Sequence, residues 1–178
     1  MSTELIEVPE IKHDDDIEEV SLNAEQFLGF VVNKEFYGVD ILTVQEIRSW
    51  QTCTKLPNSP DYLNGVINIR GEIIPVIDLG VRLGMSAIIP NKETAIIVLN
   101  VNYSGVQKKV GAVTDFVFDV FDIDSKAIKP VSETIGNLDE KFVKGLCQAH
   151  DKTLVLLHVE PLLDLTEVAK HYAEVVSV

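Results

Sequence analysis

Metal or nucleophile chemistry would have to come from four histidines and two cysteines, and their spacing serves neither. His13, His150, His158 and His171 form no HExxH or similar metal spacing. Cys147 with His150 offers at most two ligands where a structural zinc site takes four. The same two residues have the types of a nucleophile and its base, but no activating third group is evident. Cys53 and Cys147 lie too far apart for a CxxC motif and form no disulfide framework, so both read as buried thiols. The carboxylates are no more promising. Asp14 to Asp16 sit in an acidic leader, and Asp115, Asp119, Asp122 and Asp124 decorate a β-segment without the DxDxDG order of a calcium loop. There is neither a Gly-rich phosphate loop nor a GxSxG elbow. The sequence thus predicts a non-enzyme with no metal and no cofactor.

One side chain does stand out. Arg70 sits within "GVINIRGEIIPVIDLG", a run otherwise rich in Val and Ile. The two-residue period of a strand puts Ile67 and Ile69 on one face and Val66, Asn68 and Arg70 on the other. Gly71 tolerates φ > 0, so "RGE" predicts a tight hairpin with Arg70 at the strand end. The following "EIIPVIDL" is apolar on both faces and predicts a strand covered on two sides. Two accounts of Arg70 stay open at this level. It solvates a turn, or its planar fork of donors, held on a rigid platform, reads a carboxylate or carbonyl on a partner.

The elements that must hold it are mostly strands. "QFLGFVVN", "TAIIVLNV" and "KTLVLLHV" are short β-branched and aromatic runs bounded by Asn, Gly, Asp and Lys. In "ILTVQEIR", Ile41, Val44 and Ile47 recur every three residues behind Asp40, which predicts a short helix or helical turn with Asp40 as its N-cap. "PLLDLTEVAKHYAEVV" begins at Pro161 and places Leu162, Leu165, Val168 and Ala169 on one face, predicting a closing amphipathic helix over about 161–174.

A chain of 178 residues, 46% hydrophobic, is long enough to bury a core. Its longest apolar runs, such as Ala95 to Leu99, fall far short of the roughly 20 residues a spanning helix needs, so direct membrane insertion is not expected. A net charge of −13 with no Lys or Arg cluster makes nucleic acid and anionic membrane poor partners. Residues 1–24 carry eight acidic residues against Lys12 alone, a composition that predicts a disordered tail preceding a folded region over 25–178. No secretory signal opens the chain, so a cytoplasmic location is expected.

The chain also matches itself. Shifted by 80 positions, "LNGVINIRGEIIPVIDLGVRL" lies over "VKGLCQAHDKTLVLLHVEPLL", with Gly65 on Gly145, Val76 on Leu156 and Arg70 on His150. A looser match sets "FYGVDILTVQEI" over "KVGAVTDFVFDV". The reading is a mainly β protein of two tandem five-stranded barrels, the first over about 25–90 and the second over about 91–165.

"YGVDILTVQEIR", followed by "LPNSPDYLNGVINIRGEIIPVIDL", resembles the CheW family, the adaptor proteins of bacterial chemotaxis, and the resemblance runs from about Gln26 to Leu165. It implies two intertwined SH3-like barrels, no catalysis, and a cytoplasmic place in membrane-associated chemoreceptor arrays. Its implied partners are the cytoplasmic tip of methyl-accepting receptors and the regulatory domain of the histidine kinase CheA. Carried over by motif, a receptor groove between the barrels comprises Val44, Glu46, Gly65, Asn68 and Arg70. In it, Gly65 permits close backbone approach, and Glu46 either touches the partner or orients Arg70. The resemblance also implies kinase contacts at Leu28, Val39 and Leu42, for which residue type favours core. A second contact maps to Lys129 and Glu133, where Thr134 replaces the aromatic that often follows. A scaffold of a non-flagellar chemosensory pathway has the same sequence signature.

Overall fold

The computed structural model describes residues 23–131, 138–166 and 170. Most of the acidic leader, residues 1–22, lies outside them, while Ala24 already belongs to the first strand. The strands are β1 (Ala24–Val32), β2 (Glu35–Asp40), β3 (Val44–Ser49), β4 (Leu63–Ile69), β5 (Glu72–Asp78), β6 (Ala95–Tyr103), β7 (Val106–Thr114), β8 (Phe116–Asp124), β9 (Val143–Ala149) and β10 (Lys152–Leu157).

They pair into two five-stranded sheets of the same plan, β8-β1-β2-β10-β9 and β3-β6-β7-β5-β4. Each sheet curls into a small SH3-like barrel. The closing contacts are isolated bridges between Lys129 and Leu146 in the first and between Thr54 and Val66 in the second. The self-match in the sequence is thereby explained. β4 and β9 stand 80 positions apart, as do the short helices α1 (Leu79–Arg82) and α2 (Val159–Leu162).

The expected division at about residue 90 into two consecutive barrels is corrected. Each half of the chain gives two strands to one sheet and three to the other: β1 and β2 join β8, β9 and β10, whereas β3, β4 and β5 join β6 and β7. The physical reason lies in the crossovers. After β2 the chain makes a 3-10 turn, Ile41–Thr43, capped by Asp40 whose carboxylate accepts from the Leu42 amide at 2.9 Å, and enters the other sheet. After β7 it crosses back at Asp115. Hydrogen-bond pairing with a non-local strand thus decides sheet membership.

Of the two helical expectations, the turn capped by Asp40 forms and the closing helix is revised. Helix is confined to Ile41–Thr43, and Val44–Ser49 is a strand pairing with β6, so the three-residue recurrence of Ile41, Val44 and Ile47 is not a helix face. At the C-terminus a short helix starts at Val159, two residues before Pro161, and the chain leaves it at Leu163. Thr166 and Lys170 are again helical, and the remainder of the expected helix lies outside the described residues.

The hairpin turns follow the twist rule. Arg70 and Gly71 have φ of 51° and 86°, and Asn33 with Lys34 and Ser104 with Gly105 are likewise both left-handed. One core cluster, including Phe27, Phe121, Leu154 and Leu156, fills the first barrel. The larger cluster takes in residues of both sheets, among them Phe30 and Val39 from one and Ile74, Ile97 and Leu99 from the other. Arg82 pins the two halves together at their equivalent helices. Its guanidinium donates to the carbonyls of Leu162 at 2.7 Å and Pro161 at 3.2 Å and lies over the rings of Tyr62 and Phe142.

Candidate functional site

β3 and β4 are the two outer strands of the second sheet, and curling brings the start of β3 close to the β4–β5 hairpin. Arg70, left-handed at the turn, then reaches Glu46: its Nη2 donates to Glu46 Oε2 at 3.0 Å. Arg48 donates to the other oxygen, Oε1, at 3.2 Å. The Arg70 hydrogen bond, reinforced by Arg48, holds the Glu46 carboxyl below the usual carboxylate range. Although anchored, Arg70 leaves 76% of its side chain exposed. The turn beneath it is fixed by Asn68, whose Oδ1 accepts from the Gly71 amide at 2.8 Å.

The small cavity beside Arg70, about 100 Å³, is lined from the second sheet alone, by Gln45, Glu46, Ile69, Glu72, Ile74, Val98 and Lys109. It is the mouth of that barrel. A second ion pair stands on the same rim, Lys109 Nζ to Glu72 Oε2 at 2.7 Å. The sequence reading missed Lys109, Glu72 and Arg48. β7 neighbours β5 only through a long-range parallel contact, and no local spacing in the sequence announces it. The alternation within β5 was available, however, and it separates exposed Ile73, at 57%, from fully buried Ile74. The strand is therefore uncovered at its hairpin end, contrary to the two-sided cover expected of it.

Val44 is half-buried and packs against the larger core cluster. Gly65 is buried, and the backbone that approaches it closely belongs to this chain. An added Cβ would overlap the Thr54 carbonyl, and φ is +137°. Thr54 and Val66 exchange two backbone hydrogen bonds of 2.9 Å there, closing the barrel. The role expected of Gly65, room for a partner's backbone, is thus taken by the fold itself.

The residues mapped to a kinase contact separate by burial. Leu28 and Val39, cross-strand partners, are 2% and 1% exposed and belong to the core between the sheets. Without accessible surface they present nothing to a partner, and their assignment to a docking patch is corrected to core. Leu42, by contrast, is 86% exposed on the crossover turn. Lys129 is exposed beside the bridge to Leu146, and Glu133 lies outside the described residues. Cys147 is buried in the first barrel, which pushes its thiol up, opposite to the shift an activated nucleophile needs. Among the described residues no three His, Cys, Asp or Glu side chains converge as metal ligands, and no helix is long and apolar enough to cross a membrane.

Two interlocked SH3-like barrels, with a pinned yet exposed guanidinium at one barrel mouth, define a β-barrel protein whose outward chemistry is that of a contact surface. The model of the CheW-like domain matches residues 26–167. The chain belongs to that family. It is 38% identical over 145 residues to the chemotaxis protein CheW of Klebsiella aerogenes, covering 82% of this chain and 85% of that one. It is 34% identical over 142 residues to a probable chemotaxis protein CheW of Rhizobium etli, covering 80% and 89%. The solved scaffolding protein TtCheW from Thermoanaerobacter tengcongensis superposes with a TM-score of 0.72 at 32% identity, covering 81% of this chain and 90% of that one.

Proposed function

We propose that this chain is a non-catalytic adaptor that couples the cytoplasmic tips of transmembrane chemoreceptors to the histidine kinase CheA in membrane-associated arrays. The observation that carries the reading is Arg70, tied to Glu46 by one end of its fork while most of the side chain remains exposed. An arginine so held has lost much of its rotamer entropy before a partner arrives, and its remaining donors suit a carboxylate or carbonyl on a helical hairpin. Asn68 fixes the turn that carries it, and Val44, half-buried against the larger core cluster, is the apolar contact carried over by motif. The kinase contacts are Leu42, which projects from the crossover between barrels, Lys129 at the first barrel's closing bridge, and Glu133.

Co-sedimentation of the purified protein with receptor cytoplasmic fragments and CheA tests this reading. Arg70→Glu sets two carboxylates side by side, and receptor association is expected to fall about tenfold, the effect of losing one charge-assisted contact, while CheA association is kept. Receptor association equal to that of the unaltered protein would remove Arg70 from the contact.

A further inference from the structure

Asp78, the last residue of β5, is the one charged side chain that is buried among the described residues, at 2% exposure. Its carboxylate accepts from the amides of Val81 at 3.2 Å and Ile88 at 3.0 Å, and from that of Gly80. A carboxylate offers about four acceptor sites, so three amides leave room for a further donor. Among the described residues no Lys or Arg forms an ion pair with Asp78. Burial pushes its carboxyl up, and nearby Asp115 adds to the effect. The short helix that it caps does not demand this charge. At the matching position of the repeat, His158 is exposed and starts α2 without a side-chain cap bond.

Asp78 forms part of the wall of a cavity of about 230 Å³. The cavity lies between the segment 50–55, which closes the second barrel, and the loop after α1, with Trp50, Thr52, Lys55, Asn64 and Pro90 around it. Trp50 packs against the larger core cluster and is the only tryptophan of the chain. Burial pushes the Cys53 thiol up, so that side chain is a neutral part of the wall. Lys55 is exposed and forms no ion pair among the described residues. The two charges therefore differ in depth, the carboxylate buried and the ammonium at the solvent. Asn64 belongs to the start of β4 and Arg70 follows its other end, so about 20 Å of strand separates this cavity from Arg70.

We infer that this cavity is a binding site for a small zwitterion of the α-amino acid class. The ligand's ammonium donates to Asp78, its carboxylate faces Lys55, and its apolar part lies against Trp50 and Pro90. Size and charge decide the class. The cavity is smaller than the roughly 300 Å³ at which pockets for drug-sized ligands begin, which excludes a peptide or a nucleotide. An anion without an ammonium would meet a buried carboxylate that nothing compensates, and a cation without a carboxylate would leave Lys55 unanswered. The inference rests on Asp78 and its cavity and does not depend on the role proposed for Arg70.

Fluorescence of Trp50 in the full chain reads the cavity directly. The probes are L-valine, isobutylamine, which is valine without its carboxylate, and isovalerate, which is valine without its ammonium, each titrated to about 10 mM. Valine is expected to give a saturable change with a Kd of about 1 mM, isobutylamine to bind about fivefold more weakly, and isovalerate to give no saturable change. Asp78→Asn keeps one acceptor oxygen but drops the charge and should abolish valine binding, with circular dichroism reporting whether the variant folds. Lys55→Gln alters an exposed side chain and should bring valine down to the level of isobutylamine. Arg70→Glu should leave valine binding unchanged, which keeps the outcome separate from the receptor contact. No saturable response to valine, an equal response to either truncated analogue, or valine binding unaltered by Lys55→Gln would each overturn the inference.

Discussion

Gly65→Ala separates a docking role for that glycine from a structural one. The added Cβ would overlap the Thr54 carbonyl oxygen and lie 2.7 Å from its carbon, so either residue 65 or the closing segment must move. Movement breaks the reciprocal 2.9 Å hydrogen bonds between Thr54 and Val66. Two backbone hydrogen bonds contribute about 1 kcal/mol each, and an alanine held at positive φ costs about 1–2 kcal/mol more. The total, about 3–4 kcal/mol, corresponds to a fall in Tm of about 10 °C for a chain of this size. Gly71→Ala is the matched control. Its φ is +86° but nothing lies within 4 Å of the added Cβ, which leaves only the backbone cost. That cost is about 1 kcal/mol, or about 3 °C. Thermal unfolding followed by circular dichroism reads both, and amide exchange at Val66 reports the opened bridge directly. A Gly65→Ala protein as stable as the parent, or less affected than Gly71→Ala, would refute the barrel-closure account.

Val39→Asp buries a carboxylate at a site 1% exposed and should destabilise by about 4 kcal/mol, whereas Leu42→Asp, at 86% exposure, should stay within about 0.5 kcal/mol of the parent and weaken CheA association. Denaturant titration distinguishes the two, and equal midpoints for both variants would contradict the burial assignment. The second expectation concerns pH. Because the Glu46 pKa is lowered in the folded state, chiefly by Arg70, its contribution is present above the unfolded carboxylate value of about 4.3 and is lost as pH falls through the lower folded value. A carboxyl-carbon NMR titration should place the Glu46 midpoint below the ordinary range and move it upward in Arg70→Ala. A midpoint unchanged by that substitution would show that the pair is not formed in solution.

Much of this architecture is written locally in the chain. The alternation in "VINI" gives the buried face of β4 correctly, with Ile67 and Ile69 inside and Asn68 outside. "RGE" gives the hairpin, and the offset of 80 gives the equivalence of β4, β5 and α1 with β9, β10 and α2. The orienting bond from Glu46 to Arg70 was one of two roles open in the sequence, and the structure shows it formed. Sheet membership was not legible. β2 and β3 are separated by only Ile41–Thr43, yet they belong to different sheets, because each strand's partner is chosen by pairing with strands far along the chain. Lys109 and Glu72 meet for the same non-local reason.

Strand exchange also explains why the family resemblance misplaces Leu28 and Val39, for which residue type favoured core. In a free-standing first barrel the outer face of β1 and β2 would lie open, and two aliphatic side chains there would suit an apolar docking patch. The exchange sets that face against the second sheet, where Leu28 and Val39 join Ile97 and Leu99 in one continuous core. What remains outside is what neither core needs: the crossover turn with Leu42, the hairpin tip with Arg70, and the outer strand β8 with Val120. Contact chemistry on such a molecule is confined to the ends and edges of its barrels. An interlocked core makes those ends rigid with respect to one another, which suits the proposed role of holding two partners at a fixed separation.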